Sequence, residues 1–202
     1  MTTEREDRTA KLSPERGRIP PTKLAHFVRR TSRFEELVAW YRTVLAAEIV
    51  HANDMLAFLT YDDEHHRVAI VRMPGLAELQ PLSAGTDHIA FNHADLGDLL
   101  NTYARLKAES IEPFWCINHG LTTSMYYKDP DGNRIEFQVD NFASVEEGSR
   151  WMRTDAFAAN PIGVVFDPDE LLARYRAGEP LASLVKQPPL PEGATPFDMA
   201  RI

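Results

Sequence analysis

The feature that most constrains this chain is an order of elements that occurs twice. After Pro20 and Pro21, "KLAHFVRR" alternates like a strand. "SRFEELVAWYRTVLA" then places Phe34, Leu37, Val38, Tyr41, Val44 and Leu45 on one helical stripe. "AEIVHAN", "MLAFLTY" and "HRVAIVRM" follow as three short strands separated by polar turns. From residue 86 the order recurs: "TDHIAFNH" is strand-like, and Asp95 can cap a helix with the stripe Leu96, Leu99, Leu100, Tyr103 and Leu106. "IEPFWCIN", "TSMYYKD" and "NRIEFQVD" supply three more strands, the last two joined by an Asp-Pro-Asp-Gly turn. Ser32 and Glu35 read as a capping box at the first helix start. Neither half can bury its sheet face alone, so the pattern predicts an α+β fold of two βαβββ modules, 21–75 and 84–142, curved around a shared cleft. Residues 1–20 read as a flexible charged arm. Residues 143–202 read as one helix opened by Asp167-Pro168 and stopped by Gly178, then an extended proline-rich tail packing on a neighbouring subunit.

Composition removes several classes of function. A formal charge of −8, with 30 acidic against 22 basic residues, gives no clustered cationic surface for nucleic acid or an anionic membrane. No run approaches the roughly 20 apolar residues of a membrane span, and the first residues lack the apolar core of a signal peptide. The lone Cys116 excludes an internal disulfide and reads as a small buried hydrophobe, so a reducing, cytoplasmic setting is expected.

Superposing the halves sets His26 of "LAHFV" against His88 of "TDHIAF", and "RVAI" against "RIEF", so that Glu136 lies opposite Ala69. Period-two alternation sends Ile135, Phe137 and Val139 to the helix side and Glu136 to the cleft, and His26 and His88 can face it too. Two imidazoles and a carboxylate form the facial triad that suits non-heme Fe(II) and leaves positions open for substrate and dioxygen. A metal ion would also neutralise a carboxylate that is otherwise costly to bury. His51 and His93 have no counterparts in the repeat and read as structural.

"WYRTVLA" and "YYKDPDGNRIEF" make residues 22–142 resemble the vicinal oxygen chelate superfamily, which contains glyoxalase I, bleomycin-resistance proteins and type I extradiol dioxygenases. The pattern is most similar to the extradiol dioxygenases in a small form with one module pair. That resemblance implies Fe(II), or alternatively Mn(II), on His26, His88 and Glu136. It implies an active-site tyrosine at Tyr126, ten residues before the glutamate, a second-sphere histidine at His119 in "HGLT", and an acid–base histidine at His66 in "HHRVAI". Strict alternation instead favours its neighbour His65. The substrates implied are a small aromatic diol and O2, in a homo-oligomer; Phe114, Trp115 and Tyr127 are candidate pocket walls, although for any one of them a core role is the commoner use of a large aromatic. Two other readings stay open on the same fold: a metal-dependent isomerase, epimerase or thiol transferase, and a non-enzymatic binder of flat aromatic drugs. Against the first stands Ala69, where glyoxalase-type isomerases carry a glutamate; against the second stands retention of every candidate ligand.

Overall fold

The computed structural model describes residues 17, 19–80 and 84–201; the expected N-terminal arm lies almost wholly outside them. Two open sheets are present. Strands β1 (Phe27–Thr31), β2 (Glu48–Ala52), β3 (Leu56–Thr60) and β4 (Val68–Arg72) form the first, in the order β1-β4-β3-β2. Strands β5 (His88–Asn92), β6 (Trp115–Asn118), β7 (Thr122–Lys128), β8 (Arg134–Asp140) and β9 (Val164–Val165) form the second, in the order β5-β8-β7-β6-β9. Helix α1 (Phe34–Val44) follows β1, and α2 (Leu96–Ala108) follows β5. Each module is therefore βαβββ, with its first strand parallel to its last.

The repeat extends to individual side chains. The residues buried on α1 are Phe34, Leu37, Tyr41 and Val44; those on α2 include Leu96, Leu99, Tyr103 and Leu106. Each pair is separated by 62 positions, the spacing from His26 to His88 (88 − 26). These side chains pack on Val68 and Ile70 of β4 and on Ile135, Phe137 and Val139 of β8, which puts the main core on the helix side of both sheets. Cys116 lies in that core, and burial pushes its thiol up to about 12, consistent with an inert hydrophobe.

The helix starts differ. Asp95 accepts the Asp98 N–H at 2.9 Å, as its sequence suggests. The Ser32–Glu35 capping box is not formed: Arg33 is the cap residue, without a side-chain cap bond, and its N–H is taken by Thr31 Oγ1 at 2.8 Å. Glu35 instead pairs with the Arg72 guanidinium on β4, which competes for the carboxylate the box requires.

Turn chemistry joins the modules. In the Asp-Pro-Asp-Gly turn, Asp129 Oδ1 accepts the N–H groups of Asp131 (3.0 Å) and Asn133 (2.8 Å). Its Oδ2 accepts the Tyr41 hydroxyl of the other module at 3.1 Å, and Arg29 Nε donates to that hydroxyl oxygen at 2.9 Å. The Arg105 guanidinium of α2 caps the last carbonyls of α1, Thr43 and Val44. Phe27 meets Phe91 edge-on, ring centroids 6.1 Å apart, where β1 and β5 approach.

The C-terminal region is more structured than one helix and a tail. Short helices Val145–Trp151 and Asp155–Ala159 precede β9, and α3 (Pro168–Arg176) starts at Asp167, which accepts the Asp169 N–H at 2.8 Å. After Gly178 come a turn of helix at Leu181–Leu184 and a 3-10 turn at Pro196–Met199. This segment covers the second module of its own chain. Val164, Met199, Ile162 and Leu190 pack on Ile117, Tyr126, Phe114 and Trp115, and Trp115 Nε1 donates to the Met199 carbonyl at 3.0 Å. No helix among the described residues is long and apolar enough to cross a membrane.

Candidate metal centre and acid–base pair

Strand alternation on β8 decides where Glu136 goes. Ile135, Phe137 and Val139 are committed to the helix-side core, so Glu136 projects to the other face, where it is 4% exposed. Its strand partner on β5 is Ala90, two residues past His88. In the first module Ala69 pairs with Val28, two residues past His26. The register thus makes His26 and Ala69 the counterparts of His88 and Glu136.

In module two the two candidate ligands touch. His88 Nε2 donates to Glu136 Oε2 at 3.0 Å, and His88 Nδ1 donates to Asp87 Oδ2 at 2.7 Å. The Glu136 bond, with Asp87 adding to it, raises the imidazole to about 9. Burial by itself would raise the Glu136 carboxyl, but its neighbours, the His88 bond foremost, hold it below its ordinary value. The buried charge is thus paired, as it must be where water is excluded.

Beside this pair, the Tyr126 hydroxyl donates to His119 Nε2 at 3.1 Å, and His119 Nδ1–H donates to the Ile162 carbonyl. Tyr126 is the strand partner of Glu136, and its ring meets His88 edge-on at 5.2 Å. Burial foremost, then the Glu136 charge, raises the phenol far above its usual range, so Tyr126 stays protonated. Burial, foremost, lowers the His119 pKa, which favours the neutral imidazole. Trp115 stacks on Tyr126 at 4.5 Å and 28°, and Phe114 lies 6.3 Å from Tyr126. Tyr127 does not line this face: alternation turns it to the helix side, where it packs on Phe137 at 5.7 Å.

In module one, His26 is exposed, with its ring 4.5 Å from that of His66. His66 also stacks on Phe58 at 4.7 Å, while the His65 side chain is 73% exposed. Burial, then the proximity of His26 and His65, lowers the His66 pKa. Ala69 is 4% exposed and places no carboxylate opposite Glu136. The structure therefore assembles His88, Glu136, His119 and Tyr126, and separately His26 and His66. Among the described residues no three His, Cys, Asp or Glu side chains converge as a ready metal cage. Two concavities of about 750 and 500 Å³ lie elsewhere, beside the Arg29–Arg33 segment and under α3.

Sequence reasoning missed three participants. Asp87 was detectable as an acid beside a proposed ligand, Ser124 as a polar residue two positions before Tyr126 on the cleft face, and Asn160–Gly163 as an Asn-Pro-x-Gly turn. None carries a motif that distinguishes it from an ordinary loop or strand residue.

Residues 23–137 match the glyoxalase/bleomycin resistance protein/dioxygenase superfamily. The chain belongs to that superfamily. It is 46% identical over 160 residues to biphenyl-2,3-diol 1,2-dioxygenase 2 of Rhodococcus globerulus, covering 79% of this chain and 84% of that protein. It is 44% identical to biphenyl-2,3-diol 1,2-dioxygenase 3 of the same organism, over 80% of this chain and 86% of that protein. Among solved structures, lactoylglutathione lyase from Agrobacterium tumefaciens superposes with a TM-score of 0.49 at 20% identity, over 60% of this chain and 96% of that one. The superfamily match ends at Phe137, midway along β8, so the segment that packs on Trp115 and holds His119 lies beyond it.

Proposed function

We propose that this chain is an extradiol ring-cleaving dioxygenase that opens a catechol-type aromatic diol with O2, using a divalent metal, iron, bound by His26, His88 and Glu136. The observation that carries the reading is the contact of His88 Nε2 with a nearly inaccessible Glu136 carboxylate, set beside the His119–Tyr126 bond. The 46% and 44% identities to biphenyl-2,3-diol dioxygenases support the substrate class.

The donor set fits such an ion. His88 Nδ1 is committed to Asp87, which leaves Nε2 as the ligand atom, already aimed at the carboxylate oxygen. His26, immediately before β1, is the register counterpart of His88 at the start of β5 and would supply the third donor. When bound, Fe(II) would hold diol and dioxygen at one centre and lower the pKa of the diol.

The chain's own residues would direct the protons. With His119 Nδ1 donating to Ile162, Nε2 is a lone pair, and the Tyr126 hydroxyl points its proton there. The phenol oxygen is then free to accept from a diol hydroxyl, so a proton leaving the diol can pass through Tyr126 to His119. A positioned relay of this kind contributes roughly 100- to 10,000-fold. His66, beside His26 and stacked on Phe58, would serve as acid and base on the module-one side. Phe114 and Trp115, with Tyr126, give a flat aromatic substrate its apolar wall.

We also place the enzyme in the cytoplasm, where Cys116 stays reduced, and as a homo-oligomer, since edge strand β2 exposes all five of its residues. The test of function is anaerobic loading with Fe(II), then exposure to 2,3-dihydroxybiphenyl and a panel of substituted catechols in an oxygen-electrode cell. Oxygen consumed one-for-one with diol, with a yellow ring-opened product, is expected. No uptake with any diol, or an intradiol product, would overturn the proposal.

A further inference from the structure

We infer that the Asn160–Gly163 turn, beyond the span of the superfamily match, is a positioning device that fixes His119 as the Nδ1–H tautomer. A backbone carbonyl can only accept, so the bond from His119 Nδ1 to Ile162 requires the proton on Nδ1. That leaves Nε2 as the acceptor for Tyr126 at 3.1 Å. The tautomer with the proton on Nε2 would lose the bond to Ile162 and set the filled Nδ1 lone pair against the lone pairs of its carbonyl oxygen.

Three independent features hold that carbonyl in place. Asn160 is 8% exposed, and its side chain closes the turn from both sides: Oδ1 accepts the Gly163 N–H at 2.8 Å and Nδ2 donates to the Gly163 carbonyl at 3.1 Å. Gly163 has φ +117°, and a Cβ there would stand 2.4 Å from the Asn118 carbonyl oxygen and 2.8 Å from His119 Cα. Only glycine lets this turn lie against the backbone of His119. Immediately after it, Val164 and Val165 pair with Asn118 and Ile117, which fixes the register of the turn on β6. Because Ile162 acts through its main chain, the residues that position His119 are Asn160 and Gly163.

The role in turnover rests on the proposed function; the tautomer does not. Metal-free protein labelled with 15N-histidine therefore decides the inference, by long-range 1H–15N correlation at pH 8. Wild type should show His119 wholly as Nδ1–H, and Asn160→Ala should shift it toward Nε2–H, with Asn160→Asp intermediate. Asn160→Asp, which keeps the acceptor for the Gly163 N–H, covers the case in which Asn160→Ala does not fold. After iron loading, Asn160→Ala should lower kcat by about 10- to 100-fold while iron content and KM stay close to wild type. A wild-type protein with the proton on Nε2, or variants that keep both the wild-type tautomer and wild-type kcat, would overturn the inference. Wild-type protein with the expected tautomer but no ring cleavage would count against the function alone.

Discussion

On their helix sides the two modules are close to interchangeable, whereas on their cleft sides they are not. Tyr41 and Tyr103, Leu37 and Leu99, and Val44 and Leu106 occupy matching positions and pack into one core. Across the sheet, module two presents Glu136, Ser124 and Tyr126 beneath a cover formed by the C-terminal segment, and module one presents Ala69, with His26 exposed. Apolar burial tolerates only volume-conserving change, so the helix side stays alike in both copies. The cleft side has no such constraint, and polar groups there could diverge until one module carried the carboxylate and the proton relay and the other carried space.

The largest expected effect comes from making module two resemble module one. Glu136→Ala should abolish tight Fe(II) binding and lower kcat/KM by about 1,000-fold or more, equal to roughly 4 kcal/mol. The reverse change, Ala69→Glu, places a carboxylate where a diol or dioxygen should sit. It should retain iron and lower kcat/KM on the order of 100-fold. Iron content measured beside activity separates the two, and loss of iron from Ala69→Glu would contradict the assigned register. His119→Ala should lower kcat by about 100-fold while leaving iron content unchanged; equal loss of both would remove His119 from the relay.

The matching tyrosines allow a test in stability. The Tyr41 hydroxyl serves a buried Asp129 at the module junction, so Tyr41→Phe should cost about 1–3 kcal/mol in denaturant unfolding. Tyr103 donates at 2.8 Å to Asp169, which also has Lys107 and whose side chain is 60% exposed. Tyr103→Phe should therefore cost less, about 0.5–1 kcal/mol. The smallest effect concerns acid. Arg174, foremost, holds the half-buried Glu179 carboxyl down to about 2. A depressed carboxyl adds stability above its ordinary value near 4.5, and this is lost as pH falls toward 2. The gap in melting temperature between wild type and Glu179→Gln should close over that interval and stay constant above pH 5.

How much of this the sequence revealed follows from how local each signal is. The two modules, the helix stripes, the Asp95 cap and the inward turn of Glu136 all rest on periods of 2 and 3.6 and on turn residues, and all are present in the structure. The Ser32 cap failed because Arg72, distant in sequence, takes Glu35. Tyr127, for which the sequence leaves pocket wall and core both open with core favoured, lies in the core, where alternation from Tyr126 sends it. The course of residues 143–201 was the least legible. Its short elements gain little from propensity and are held by packing, β9 and the 3-10 turn on Tyr126 and Trp115 and the Leu181–Leu184 turn through Leu184 in the main core, a tertiary cause that no period in the sequence encodes.

The central claim, one ion shared by both modules, is tested most directly by iron stoichiometry. Wild type, His26→Ala, His88→Ala and Glu136→Ala, each loaded anaerobically with Fe(II) and freed of excess, should hold about one iron per chain for wild type and close to none for each variant. Full iron retention by His26→Ala would confine the site to module two and contradict the shared centre.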